Sequence, residues 1–287
     1  MGPVDIRRLL TPHGKAGLHS EVEYGRGEGE ERCTTMWSKF KKLLKKVWRV
    51  VKAVVRAGVR VGIFGGTFPF KIWDLAFGFL AWPPKKMKVH IAVLQDQAGP
   101  LIKFEELNNL LPSIELLKKV YKDNCNVTVL PYSSGNEREI DNWAQVLNDP
   151  APAAALDSGE CRTWVQLDEQ ETGDAGEYFR QHTAGWVSGI PISLSFPITV
   201  FIVKSISGYF GCTIPFLSDY VLVSVDALKA EPSTIAHEIG HRCNILPHHD
   251  DRKNLMFSGN VPNLPPYMLK GWQKNLVRSS RHVTYLF

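Results

Sequence analysis

The feature that most constrains this chain is a glutamate set between two histidines: His237, Glu238 and His241, an HExxH pattern. Side chains at i and i+4 lie on one side of a helix, so both imidazoles can bind one metal ion if the segment is helical. Pro232 and Ser233, directly upstream, are typical of a helix start. With nine histidines in 287 residues, chance would produce the pattern in roughly 0.02 of such chains. The pattern therefore predicts a helix that carries a metal site on one face.

A zinc ion suits this pattern, because a catalytic zinc site takes three protein ligands and keeps one position open. Glu238 would lie beside the metal without ligating it and could take a proton from the attacking water. The third ligand must be sought among the polar residues that follow the motif. These candidates are His248, His249, Asp250, Asp251 and His282. A distant downstream carboxylate is excluded, since no Asp or Glu follows Asp251.

The segment resembles the metzincin family of zinc metalloproteases, whose pattern is HExxHxxGxxH followed by a tight turn centred on methionine. Asn244 stands where the family has glycine, at a helix end in the left-handed conformation that asparagine tolerates best after glycine. Pro247 occupies the position of the family's third histidine, and His248 comes one place later. The chain thus departs from the family pattern by one inserted residue.

The methionine sets the register of the third ligand within this resemblance. His248 precedes Met256 by eight residues, as in the short-spaced members of the family. On that register His248 is the third ligand, Met256 is the Met-turn residue, and His249 remains the alternative metal ligand, because geometry alone permits either histidine. Asp250 and Asp251 are expected to stabilise the loop or to orient a ligand histidine.

Hydrophobic patterning predicts an α/β domain with a twisted mixed sheet. A helix is predicted over 104–121, interrupted near Pro112, and a short helix around 140–147. The predicted strands are 88–95, 126–132, 163–167, 198–206 and 219–225. The resemblance adds an (α+β) metzincin-like fold with an active-site helix and a small C-terminal helical subdomain. It also implies a substrate-binding edge strand near 211–215.

Charge divides the chain into a basic front end and an acidic body. Residues 1–88 hold 18 Lys/Arg against 7 Asp/Glu, and residues 89–287 hold 16 against 22. The sequence predicts four regions, which are a disordered polar tail (1–35), a cationic amphipathic helix (36–60), a hydrophobic membrane segment (61–85) and a zinc metallopeptidase domain (86–287).

The front end favours an anionic membrane as a partner. Residues 37–60 carry nine cations and no acid around an apolar helical face that includes Trp37 and Trp48, which suits a membrane interface. Residues 61–82 have the length of a bilayer crossing, although Asp74 within them would be costly in hydrocarbon. We expect a membrane-associated protein, spanning or interfacial, on an undetermined side of the membrane. A hydrophobic arm packed on the domain is the alternative, and nucleic-acid binding explains only the charge.

These features predict a zinc-dependent endopeptidase with Glu238 as general base and a protein or peptide as substrate. Two alternatives remain open, a zinc hydrolase of a non-peptide amide or ester and a non-catalytic membrane or nucleic-acid adaptor with a structural zinc site. The five cysteines form no CxxC pair, so most are expected to be small buried apolar side chains rather than zinc ligands.

Overall fold

A seven-stranded, mostly parallel sheet forms the centre of the structure. This computed structural model describes residues 71–158, 173–187, 190–191, 196–213, 218–258 and 265–285. The predicted tail, the cationic helix, the first ten residues of the apolar segment and the predicted strand 163–167 lie outside the described residues. All described residues fall in one compact unit, 49–287.

The strands lie in the following order along the chain. They are β1 (Lys85–Val93), β2 (Gln95–Asp96), β3 (Gly99–Pro100), β4 (Val127–Pro131), β5 (Ala144–Val146), β6 (Asp157–Ser158), β7 (Trp186–Val187), β8 (Ile190–Pro191), β9 (Ile198–Val203), β10 (Ser205–Ile206), β11 (Gly211–Cys212), β12 (Tyr220–Ser224) and β13 (Val283–Thr284).

In the described ranges, the helices comprise two short 3₁₀ helices, Gly78–Leu80 and Phe104–Leu110, and eight α-helical segments. The α-helical segments are α1 (71–77), α2 (Leu111–Cys125), α3 (Glu139–Trp143), α4 (Ala153–Leu156), α5 (Asp174–His182), α6 (Val225–Ala230), α7 (Thr234–Arg242) and α8 (Gly271–Ser279).

The sheet order is β11-β12-β9-β1-β13, and β4 and β5 also pair with β1. β12, β9, β1, β4 and β5 are parallel, whereas β11 and β13 are antiparallel to their neighbours. The predicted α/β class with a mixed sheet is confirmed.

Both faces of the sheet are covered, which explains the nearly continuous apolar runs of its central strands. Every residue of β9 and β12 is buried. Val200 and Val221 belong to the same core cluster as Ile239 of α7. Phe201, on the other face, packs against Phe179 of α5 with the ring centroids 4.8 Å apart. The helix with the HExxH pattern is therefore packed directly on the sheet.

Two predicted helices differ in detail from the structure. The predicted helix 104–121 is a 3₁₀ helix followed by α2, which starts at Leu111 with Pro112 in its first turn, where proline costs no hydrogen bond. The predicted helix around 140–147 ends at Trp143, and β5 follows it. β5 forms because Ala144 lies opposite Ile91 and pairs with β1, which local sequence does not reveal.

The described part of the predicted apolar segment packs against the C-terminal helix. Asp74 is fully buried and forms an ion pair with Lys85, and its other oxygen lies 3.6 Å from Nε of Arg278. Lys71 donates hydrogen bonds to the backbone carbonyls of Ser280 and Val283. Within the described ranges, no helix has the length and apolar character that a bilayer crossing requires.

Candidate metal centre

The HExxH residues lie on α7, as their spacing predicts. The helix starts after Ser233 and ends at Arg242. Asn244 then adopts a left-handed conformation with φ of 74°, which confirms the expectation for the residue at the family's glycine position. This turn leads the chain back toward the helix and brings the following histidines near the motif.

Three histidines converge at the exposed side of α7. Ligand atoms of His237, His241 and His248 all lie within 4.8 Å of one another. Nε2 of His241 is 3.1 Å from Nε2 of His237 and 3.1 Å from Nε2 of His248. Nitrogen ligands of a tetrahedral metal with bonds of 2.0–2.1 Å would be separated by about 3.3 Å. Both separations from His241 are therefore close to the one that a single metal ion requires, and the third pair lies within 4.8 Å.

Hydrogen bonds on the far side of two rings fix which nitrogen faces the cluster. Nδ1 of His237 lies 2.8 Å from the carbonyl oxygen of Leu255, and Nδ1 of His241 lies 2.6 Å from that of Ile245. A carbonyl oxygen only accepts, so each Nδ1 carries a proton and each neutral ring turns a bare Nε2 toward the other. Two facing lone pairs at this distance are unfavourable unless a cation lies between them. The residues thus fit a bound metal ion.

Burial keeps the two helix histidines in this neutral state. It lowers the pKa of His237 to about 3, with a further contribution from neighbouring His241. The pKa of His241 is also lowered by burial, against the effect of its hydrogen bond to Ile245. Neutral imidazole is the form that binds metal ions.

His248, rather than His249, joins the cluster in the structure. His248 is exposed, which leaves this side of the centre open to solvent. Nδ1 of His249 instead accepts a hydrogen bond from the backbone N–H of Asp251 at 3.0 Å. Asp251 also accepts from the backbone N–H of Lys253 at 3.0 Å, so it stabilises the loop as expected.

Met256 lies directly beneath the helix. Its side chain is fully buried, and its sulfur is 2.6 Å from the position that a Cβ on Gly240 would occupy. The backbone N–H of Met256 donates to Oδ1 of Asn254 at 2.9 Å, and the preceding carbonyl, of Leu255, accepts from His237. The turn around Met256 therefore orients one of the three histidines.

Glu238 is buried between the helix and the edge of the sheet. Oε2 of Glu238 lies 2.6 Å from the hydroxyl of Thr213, which also lies 3.0 Å from the glutamate's backbone carbonyl oxygen. A Cβ on Gly211 would come within 2.4 Å of Oε1, so a larger residue at that position would displace the carboxyl group. Burial raises the pKa of Glu238 to about 7, and the hydrogen bond from Thr213 opposes that shift.

Thr213 and Gly211 are the site residues that sequence reasoning did not find. They lie about 25 residues before Glu238, and no local pattern links the two segments. The available signal was the edge strand expected near 211–215, and the structure places β11 at Gly211–Cys212, antiparallel to β12 and at the end of the sheet.

Other candidate side chains have structural partners elsewhere. The hydroxyl of Tyr285 lies 3.2 Å from Oδ1 of Asp74. His282 accepts from Nε of Arg242 at 3.0 Å and donates to the carbonyl of Phe196 at 2.7 Å.

Cys125 and Cys243 are free and buried, as expected of small apolar side chains, whereas Cys212 on β11 forms a disulfide bond.

Comparisons with known proteins show likeness in structure but none in sequence family. No protein-family model matches the sequence, and no curated protein matches it significantly. The structure of metalloproteinase-II from Bacteroides fragilis is similar with a TM-score of 0.41 and 15% sequence identity. The similarity covers 67% of this chain and 53% of that chain, so the chain spans about half the length of that structure.

Proposed function

We propose that this protein is a zinc-dependent endopeptidase of the metzincin type, with His237, His241 and His248 as the metal ligands and Glu238 as general base. The observation that carries the proposal is the convergence of three imidazole nitrogens beside a buried carboxyl group, with Nε2 of His241 3.1 Å from Nε2 of each of the other two. The Nε2 lone pairs of His237 and His241 face each other, because each Nδ1 donates to a backbone carbonyl, and a divalent cation between them stabilises that arrangement.

Each residue of the centre has a defined task in peptide hydrolysis. Zn²⁺, when bound, would polarise the scissile carbonyl and make water a better nucleophile at neutral pH. Glu238 takes a proton from the attacking water and later delivers it to the amine that leaves. Thr213 and Gly211 hold that carboxyl group in place, and Leu255 and Ile245 orient two imidazoles through their carbonyls.

Two features favour catalysis on a peptide over a structural zinc site or a small substrate. Among the described residues, the metal-binding group contains three histidines, and the exposed position of His248 leaves access for a fourth ligand, as catalytic zinc sites require. β11 ends the sheet beside Glu238. An edge strand can pair with an extended peptide backbone, which supports an endopeptidase.

Replacement of Glu238 by glutamine tests this proposal. The amide is nearly isosteric but cannot accept a proton, so we expect full zinc occupancy and a loss of hydrolysis by at least about a hundredfold. Zinc stoichiometry by mass spectrometry and cleavage of a quenched peptide library would be measured on the same protein preparation.

Glu115→Gln is the matched control, because Glu115 is a surface residue of α2 paired with Lys118. It should leave both zinc content and hydrolysis unchanged. His248→Ala should lower zinc content and activity together. Full activity of Glu238→Gln, or full zinc occupancy of His248→Ala with loss of zinc in His249→Ala, would contradict the assigned roles.

A further inference from the structure

Residues 72–82 expose a set of large apolar side chains on one surface of the domain. The set, here called the apolar face, consists of Ile72, Trp73, Leu75, Phe77, Phe79, Leu80 and Trp82, which are 43–69% exposed. Trp73 and Phe77 lie one helical turn apart with ring centroids at 4.7 Å. A soluble surface rarely carries so many clustered apolar side chains without a partner.

The opposite side of the same segment is anchored to the domain by polar contacts. Asp74 is buried against Lys85 and Arg278, and Lys71 donates to two backbone carbonyls. Gly78 packs so closely on α8 that a Cβ there would lie 3.0 Å from Cα of Asn275. The anchoring fixes the orientation of the apolar face relative to the sheet and the metal centre.

The anchored groups determine how such a segment can meet a lipid bilayer. Asp74 and Lys71 are held by contacts with the domain, so this part of the chain cannot enter the bilayer centre without breaking buried ionic contacts. Aromatic rings on one side with polar groups on the other are typical of a helix that lies in the interface plane.

The charge of the preceding segment indicates which kind of partner surface the apolar face contacts. The chain that leads into the apolar face carries nine cations and no acid between residues 37 and 60. Such a run is attracted to anionic lipid headgroups, whereas it would repel the same run of a second copy placed beside it on this face. We propose that the apolar face docks the domain peripherally on an anionic membrane surface, with its rings inserted at the headgroup level and no crossing by residues 71–82.

Binding of the full-length protein to vesicles tests the proposal without any reference to hydrolysis. Cosedimentation with phosphatidylcholine vesicles that contain phosphatidylserine would be compared with phosphatidylcholine vesicles alone. The wild type should bind the anionic vesicles more tightly. The double variant Trp73→Ser/Phe77→Ser should bind them at least about tenfold more weakly, because two rings no longer insert.

Phe104→Ser is the matched control, since Phe104 is 53% exposed and lies outside the apolar face; it should bind as the wild type does. A second pair, Leu80→Ser/Trp82→Ser, guards against a folding defect in the first, and unfolding midpoints would verify both. The proposal is overturned if the wild type binds duplex DNA but neither vesicle, or if both double variants bind anionic vesicles like the wild type. It is equally overturned if the variants only dissociate a dimer in sedimentation equilibrium.

Discussion

Thr213 controls the geometry of Glu238 without touching any of the three histidines in the described contacts. Its hydroxyl lies 2.6 Å from Oε2 of Glu238, and a hydrogen bond to a charged group contributes about 1.5–3 kcal/mol. Thr213→Val keeps the shape of the side chain and removes that bond. We expect kcat to fall by about tenfold to a hundredfold, with unchanged zinc content, in a steady-state peptide assay.

Thr213→Ser is the natural control, because serine restores the hydroxyl while it removes a methyl group. It should recover most of the lost kcat. Equal activity of the valine and serine variants would show that Thr213 acts through packing alone rather than by positioning the carboxyl group.

At the scale of residues, the sequence predicts the position and conformation of those residues whose partners are close along the chain. His237 and His241 share a helix face because of their spacing, and Asn244 takes the left-handed conformation because it ends that helix. The contact between Thr213 and Glu238 joins two segments that meet only after the sheet has formed. No pattern of residue types in either segment encodes that meeting.

At the scale of elements, the C-terminal helix α8 supports the turn that carries Met256. Gln273 of α8 is fully buried, and its Oε1 accepts from Nδ2 of Asn254 at 2.9 Å. Asn254 in turn accepts the backbone N–H of Met256, and Leu255 between them accepts from His237. α8 is therefore linked to His237 through the amide pair of Gln273 and Asn254 and through the carbonyl of Leu255.

Gln273→Ala leaves the buried amide of Asn254 without its partner, which costs about 1–3 kcal/mol in free energy of unfolding. We also expect zinc affinity to fall by about tenfold, as for other groups that orient a ligand histidine. Chemical denaturation and competition with a zinc chelator would measure the two effects. Gln145→Ala, at an exposed position of β5, is the control and should change neither the free energy of unfolding nor the zinc affinity. Unchanged zinc affinity in Gln273→Ala would show that α8 does not support the metal centre.

Elements with both faces buried are easier to predict than those that depend on a partner. β9 and β12 consist of buried residues throughout, and their apolar runs predict strands directly. β5 is a strand because β1 offers it a hydrogen-bonding edge, and its own sequence continues the preceding helical pattern. Local sequence therefore cannot distinguish the end of α3 from a longer helix.

At the scale of the whole molecule, one buried carboxylate joins the start of the described chain to its end. Asp74 pairs with Lys85 at the start of β1 and lies near Arg278 on α8, and the hydroxyl of Tyr285 donates to it. The sequence reveals Asp74 only as an unfavourable charge in an apolar stretch, because its partners lie up to 211 residues away.

Asp74→Ala should lower the free energy of unfolding by about 3–5 kcal/mol, because it leaves buried cations without their counter-charge. Burial already lowers the pKa of Lys85 to about 8, against the opposing effect of Asp74. The stabilisation that Asp74 gives to protonated Lys85 is therefore largest at acid pH and is lost as the pH rises through about 8, where Lys85 deprotonates. Denaturant titrations from pH 6 to pH 10 should show the largest difference from wild type at the acid end.

Asp123→Ala is the matched control, because Asp123 forms an exposed ion pair with Lys119 at 2.9 Å. Surface pairs contribute about 0–1 kcal/mol, so this variant should unfold almost like the wild type at every pH. A loss of similar size in both variants would show that residues 71–85 are not held to the domain by the buried charges. A penalty for Asp74→Ala that grows above pH 8 would instead place the stabilising charge on a group other than Lys85.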